Sequence, residues 1–202
     1  MNEIILLALV IVGVPLIYYL INRKEEHQLN KATYIENFIY PKKINESLKE
    51  KYPFLSNENI EEIVLGLKQY FLICSLTGNS NVSMPSQAVD LAWHEFILFT
   101  KKYNEFCELS FGRFLHHVPA EEMKSPDSAQ KGIKLAWKVA CKLESIDAVK
   151  PNKLPLLFSI DDKLNIPNGF VYKLNCNPSK NEYCAGGIGC ASGCTGASCG
   201  SV

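Results

Sequence analysis

The sequence predicts an all-α protein with three parts: a single N-terminal transmembrane helix, a small helical bundle domain, and a disordered Gly/Cys-rich C-terminal tail. Three observations predict it. An uncharged apolar run, Ile4 to Ile21, opens the chain. Segments between residues 55 and 148 repeat apolar side chains at spacings of three and four, the period of a helix face. The end of the chain is low-complexity Gly, Cys and Ser with too few apolar residues to offset the entropy of ordering.

The opening run, "IILLALVIVGVPLIYYLI", reaches the ~18 residues needed to span a bilayer. Gly13 and Pro15 are tolerated in such helices, and Tyr18 and Tyr19 fall where aromatic rings favour the lipid–water boundary. A cleaved signal peptide would need a basic start and a small-residue cleavage site. The chain starts Met-Asn-Glu, and "YYLINRKEE" has no such site. Residues 1–22 therefore read as an anchor, with the membrane as partner through residues 4–21. No Lys or Arg precedes the run, whereas Arg23, Lys24 and Lys31 follow it. The positive-inside rule places the body on the cytoplasmic side of a single-pass protein. There the eight cysteines are expected as thiols or metal ligands rather than disulfides. Lysine plus arginine equals aspartate plus glutamate at 21 each, a balance that excludes a dedicated nucleic-acid binder.

Residues 23–54 are polar, with an apolar break at "YIENFIY" and a short helix signal at "INESLKEKY"; they read as a juxtamembrane tether that begins to fold. The helical core domain is expected over 55–148. Ser56 or Asn57 caps a helix in which Ile60, Ile63, Val64, Leu67, Phe71 and Cys74 form one stripe. Glu58, Glu61 and Glu62 sit early in it, where the helix dipole favours acid. "MPSQAVDLAWHEFILFTKKYNEFCEL" reads as one long helix with Pro85 in its first turn. Val89, Trp93, Phe96, Ile97 and Thr100 share a face that Asn104 and Cys107 continue. "SFGRFLHHVPAEEM" is a break. A third helix opens at Asp127, after Pro126, with Ile133, Ala136, Trp137, Ala140 and Cys141 as its stripe. Residues 149–175 carry Pro151, Pro155 and Pro167 and read as a strap over the helices. The strand candidate is "GFVYKL", pairing with "LPLLFSI". Residues 176–202 form the tail.

Two groups of side chains could carry chemistry. Asp90 and His94 are one helical turn apart on one face, and Glu105 returns to nearly the same angle on a continuous helix. A histidine with a carboxylate one turn away can bind metal, or the carboxylate can orient the imidazole for acid–base work. The bland reading is a polar seam at the core boundary. "HEFIL" lacks the second histidine of the H-E-x-x-H zinc-protease motif, since Leu98 stands there. His116 and His117 are adjacent, so their side chains diverge and at most one joins His94. Arg113 could neutralise an acidic group nearby.

The second group is Cys184, Cys190, Cys194 and Cys199. The gaps from Cys190 to Cys194 and from Cys194 to Cys199 fit loose zinc spacing. The absence of C-x-x-C weakens zinc-ribbon, thioredoxin-like and ferredoxin-type readings. Zinc or another thiophilic metal suits these ligands; the alternative is a linker with unpaired thiols. Cys74, Cys107 and Cys141 lie on apolar stripes and read as core. "CGSV" at the end does not make a prenylation signal.

Val89-Asp90, Ala92-Trp93-His94, Ile97-Leu98, Tyr103, Phe106-Cys107, Gly112-Arg113-Phe114 and His116-His117, with "LKQYFLIC" upstream, resemble the core segment of bacterial members of the glycine-rich domain-containing protein-like family. The resemblance covers roughly residues 55–123. It implies an all-helical domain with a Gly/Cys-rich end and implies no reaction.

The expected function is binding: a metal or redox-active partner held by Cys184, Cys190, Cys194 and Cys199 of the tail, with Asp90, His94 and one of His116 or His117. The runner-up is a non-catalytic interaction module, in which the Trp-His and His-His residues lock the helices and the tail docks to a protein partner. Further readings are a metal-dependent enzyme at the histidines and a tail that is itself a substrate for peptide modification.

Overall fold

The computed structural model describes residues 2–117, 126–174, 183–184 and 188, with the side chains of 2–13, 126–128 and 183–184 outside the description. Among the described residues seven helices are present: α1 Asn2–Asn37, α2 Lys42–Lys51, α3 Asn57–Thr77, α4 Gln87–Ile97, α5 Thr100–Phe111, α6 Pro126–Leu143 and α7 Leu156–Lys163. Two short strands, β1 Tyr172–Lys173 and β2 Tyr183–Cys184, pair in parallel with Tyr172 opposite Tyr183.

α3 is the hub and touches every other helix. Its start follows the expected chemistry. The Ser56 hydroxyl accepts from the Asn59 N–H at 3.2 Å, and the Asn59 side chain accepts from the Ser56 N–H at 3.0 Å. This reciprocal capping box satisfies two backbone donors that a helix start would otherwise leave unpaired. Ile60, Ile63, Leu67, Phe71 and Cys74 of the expected stripe are buried, and Val64 at its edge is partly buried. Gly66 lies where α3 meets α4 and α7: a Cβ there would stand 2.6 Å from Ile160 Cδ1 and 2.9 Å from Val89 Cγ2.

The long helix expected from Met84 onward is two helices. α4 ends at Ile97, and Phe99 (φ −82°, ψ 56°) leaves the helical region before α5 begins. No glycine or proline marks the break. Trp93, Phe96, Tyr103, Cys107 and Ser110 are buried on both sides of it, so the apolar stripe runs through the kink without a change of phase. The break removes the shared face proposed for His94 and Glu105, which now belong to different helices.

The core is wider than residues 55–148. Ile35, Ile44, Leu48 and Tyr52 are buried in the same cluster, as are Leu157, Phe158, Ile160 and Tyr172. The stretch read as a tether is thus the end of α1 plus α2. Tyr34, Phe38 and Tyr40 pack with Phe96 and Phe106, with ring centroids 4.6–6.3 Å apart, and such aromatic pairs add to the energy of burial. "LPLLFSI" is not a strand: it contributes α7, and Tyr172–Lys173 pairs instead with Tyr183–Cys184.

α1 continues unbroken through the apolar run into the core, with Pro15 inside it. Among the described residues no helix is long and apolar enough to cross a membrane. Most of the 4–21 run, residues 4–13, has side chains outside the described residues.

Candidate metal centre

α4 is fixed at its N-terminus from across the fold. A helix start leaves four N–H groups without intrahelical partners. Here the Ser86 hydroxyl takes the Val89 N–H at 3.2 Å. Asp161, on α7 and 2 % exposed, takes Gln87 N–H at 2.7 Å and Ala88 N–H at 3.3 Å. The same carboxylate accepts from the Ser86 hydroxyl at 2.7 Å and from Phe170 N–H at 2.9 Å. A buried carboxylate saturated with donors on a helix N-terminus is well placed electrostatically. Gly169 lets the chain approach it, since a Cβ there would stand 2.7 Å from Asp161 Cβ.

The anchored helix presents Asp90 and His94. The chain returns to them after α5. Gly112, in the left-handed region at φ 71°, ends that helix, a conformation glycine adopts at low cost. Arg113 donates to the Gly78 carbonyl at 2.7 Å and makes no ion pair with an acid among the described residues. Leu115 is buried, and its carbonyl accepts from the Tyr103 hydroxyl at 2.6 Å. Tyr103 in turn accepts from Trp93 Nε1–H at 3.0 Å. Burial of the Tyr103 phenol raises its pKa and keeps it a neutral donor.

Two residues beyond Leu115, His117 reaches α4. Its Nε2 lies 2.9 Å from Asp90 Oδ1, and His94 Nδ1 lies 3.3 Å from Asp90 Oδ2. The two imidazole centroids are 4.1 Å apart, and the Trp93 and His117 rings meet edge-to-face with centroids 4.5 Å apart. One ligand atom from each of Asp90, His94 and His117 fits within 4.8 Å of the others. The three side chains grade outward: His117 is 15 % exposed, Asp90 23 % and His94 48 %. In the tautomers that carry a proton on the facing nitrogens, both imidazoles donate to Asp90, whereas an ion held here would need those nitrogens as lone-pair donors.

Of the two adjacent histidines, His117 joins the site. His116 is exposed and packs at a tilt against Phe114, with centroids 4.9 Å apart. Cys190, Cys194 and Cys199 lie outside the described residues. Cys184 is described only through its backbone in β2. Cys74, Cys107 and Cys141 are buried free thiols, as the stripes predict; burial pushes Cys74 up to about 12 and Cys141 up to about 11. Tyr103 and Asp161 had no site signal in the sequence. Tyr103 sits on an apolar stripe where a tyrosine reads as core, and nothing local ties Asp161 to a helix start more than seventy residues earlier.

A family model described as UCP032817-like matches residues 30–193. The chain belongs to the UCP032817-like family. No curated protein and no solved structure matches the chain. The UCP032817-like region begins inside α1, before the first buried core residue, Ile35, and runs past β2. It thus includes the helices that the sequence assigns to a tether and a strap. Within it lie Asp90, His94, His117, Tyr103 and Asp161, together with Cys184 and Cys190.

Proposed function

We propose that this UCP032817-like chain is a metal-binding protein whose ion sits among Asp90, His94 and His117. The observation that carries the reading is the convergence of two imidazoles and a carboxylate within 4.8 Å, graded from partly buried to half-exposed. Two nitrogens and one oxygen suit zinc and its first-row neighbours. Three protein ligands leave a coordination position for water or substrate, the pattern of catalytic rather than structural zinc. The half-exposed His94 leaves that position on the solvent side. Stability alone is a weak reason for the cluster, because half-exposed ion pairs contribute about 0–1 kcal/mol.

The body is membrane-anchored through residues 4–21 and faces the cytoplasm, where Cys184, Cys190, Cys194 and Cys199 stay reduced. These thiols form a separate, softer ligand set for zinc or a redox-active partner. The finer family assignment is the bacterial glycine-rich domain-containing protein-like group, on the Trp-His and His-His residues.

The test is zinc titration of the chelator-treated full chain by calorimetry, with Cys184, Cys190, Cys194 and Cys199 all replaced by serine. One ion per chain is expected, lost in Asp90→Asn and His117→Ala. A second reading is a non-catalytic interaction module in which His117 simply fastens the segment after α5 to α4; the 2.9 Å contact to Asp90 favours it. In that case His117→Ala lowers the melting temperature and no variant binds zinc.

A further inference from the structure

We propose that Tyr103 is a positioning residue that sets the His117 imidazole on Asp90, with Trp93 as the second support. The two residues form a closed frame around the site. Trp93 Nε1–H donates to the Tyr103 oxygen at 3.0 Å, and the Tyr103 O–H donates to the Leu115 carbonyl at 2.6 Å. Both of these groups are buried. Leu115 lies two residues before His117, so fixing its carbonyl fixes where the chain leaves the core. Trp93 then meets the His117 ring edge-to-face, with centroids 4.5 Å apart, and limits its rotation. Trp93 and His94 are neighbours on α4, so one turn of helix supplies both a ligand and the frame for the other imidazole.

The sequence around His117 cannot hold it unaided. The segment after Gly112 carries no helix through 117, so no backbone ladder holds the imidazole. The Tyr103 hydroxyl ties this segment to α5 at the Leu115 carbonyl, beside a bond from the Leu115 N–H to the Cys107 sulfur and the packing of Phe114 on the Tyr103 ring. Hydrogen bonds made directly to a metal-binding histidine are worth about 10–100-fold in affinity, and a tie two residues away through Leu115 is expected at the low end of that range. Tyr103 touches no metal ligand atom; it acts through Leu115 and Trp93.

The effect on affinity rests on the metal reading above, whereas the effect on His117 itself does not. The experiment therefore reads both in the full chain. Tyr103→Phe keeps the ring and deletes one hydroxyl. Ser75→Ala is the comparison: it deletes a hydroxyl bond of similar kind, from Ser75 to the Ser110 carbonyl at 2.9 Å, that ties α3 to α5 without reaching His117. In ion-free protein, nitrogen NMR of the imidazoles is expected to show the His117 Nε2 signal shifted and broadened in Tyr103→Phe and unchanged in Ser75→Ala. Cobalt(II) titration is expected to show affinity weakened roughly tenfold or more in Tyr103→Phe alone. An unchanged His117 signal in Tyr103→Phe overturns the proposal, as does wild-type cobalt affinity. If the wild-type chain binds no cobalt, the metal reading falls while the NMR arm still decides the role of Tyr103.

Discussion

Replacing Asp161 with alanine probes the tie that places the candidate site. The side chain accepts four hydrogen bonds while 2 % exposed: from the Ser86 hydroxyl and from Gln87, Ala88 and Phe170 N–H. Alanine leaves those donors in place and removes the acceptor. Gln87 is exposed, so water replaces the carboxylate at its N–H. Ala88 is fully buried, and its stranded N–H costs about 1–3 kcal/mol. Losing the negative charge at a helix N-terminus adds up to about 2 kcal/mol. The sum is about 1–5 kcal/mol, against the ~5–15 kcal/mol that holds a typical domain. Asp161→Asn keeps one carbonyl acceptor and is expected to lose about half as much. Urea unfolding followed by circular dichroism measures both. A loss under about 1 kcal/mol for Asp161→Ala would refute the claim that this carboxylate anchors α4.

Further outcomes follow from particular contacts. Gly66→Ala drives a methyl into Ile160 and Val89; overpacking of this kind costs about 1–3 kcal/mol, read as a lower urea midpoint. Cys74, Cys107 and Cys141 resist a thiol reagent at pH 8 until the chain unfolds, because burial raises all three above the ordinary thiol value; rapid native labelling of Cys74 would contradict the buried assignment. The same shifts give a sign for alkaline stability. The folded state holds the Cys74 proton to about pH 12, whereas an unfolded thiol loses it near 9. Stability is therefore full below about pH 9 and falls as pH rises through that window, by up to about 1.4 kcal/mol per unit for this one group. Unfolding free energies at pH 8 and pH 10 check it. Arg113→Ala frees the Gly78 carbonyl and is expected to cost about 1 kcal/mol, measured by the same unfolding assay.

Much of the helical core was legible because its signals are local. The Ser56 cap, the α3 stripe and the Asp90–His94 turn need only residues within a few positions of one another. The break at Phe99 was not, because Trp93, Phe96, Tyr103 and Cys107 keep one apolar phase across it and no breaker residue marks it. α2 was legible as a short helix at "INESLKEKY", but its place in the core was not: Lys and Glu surround Ile44 and Leu48, two buried residues on a single narrow stripe. α7 hid behind Pro155, which reads as strap but stands at the helix start as an N-cap. The candidate site was half legible. Asp90 and His94 declare themselves by spacing, and divergence of neighbouring side chains allowed only one of the next two histidines. Which one depended on Leu115 being buried, a fact of tertiary packing. Asp161 and Tyr103 act over long sequence distances, through bonds that no local pattern encodes.

The most direct measurement is the anomalous scattering of a zinc-loaded crystal of the full chain at the zinc edge. One peak is expected, with His94 Nδ1, His117 Nε2 and an Asp90 oxygen each about 2.0–2.2 Å away. A peak bound only by tail sulfurs, or none beside α4, would contradict the proposed site.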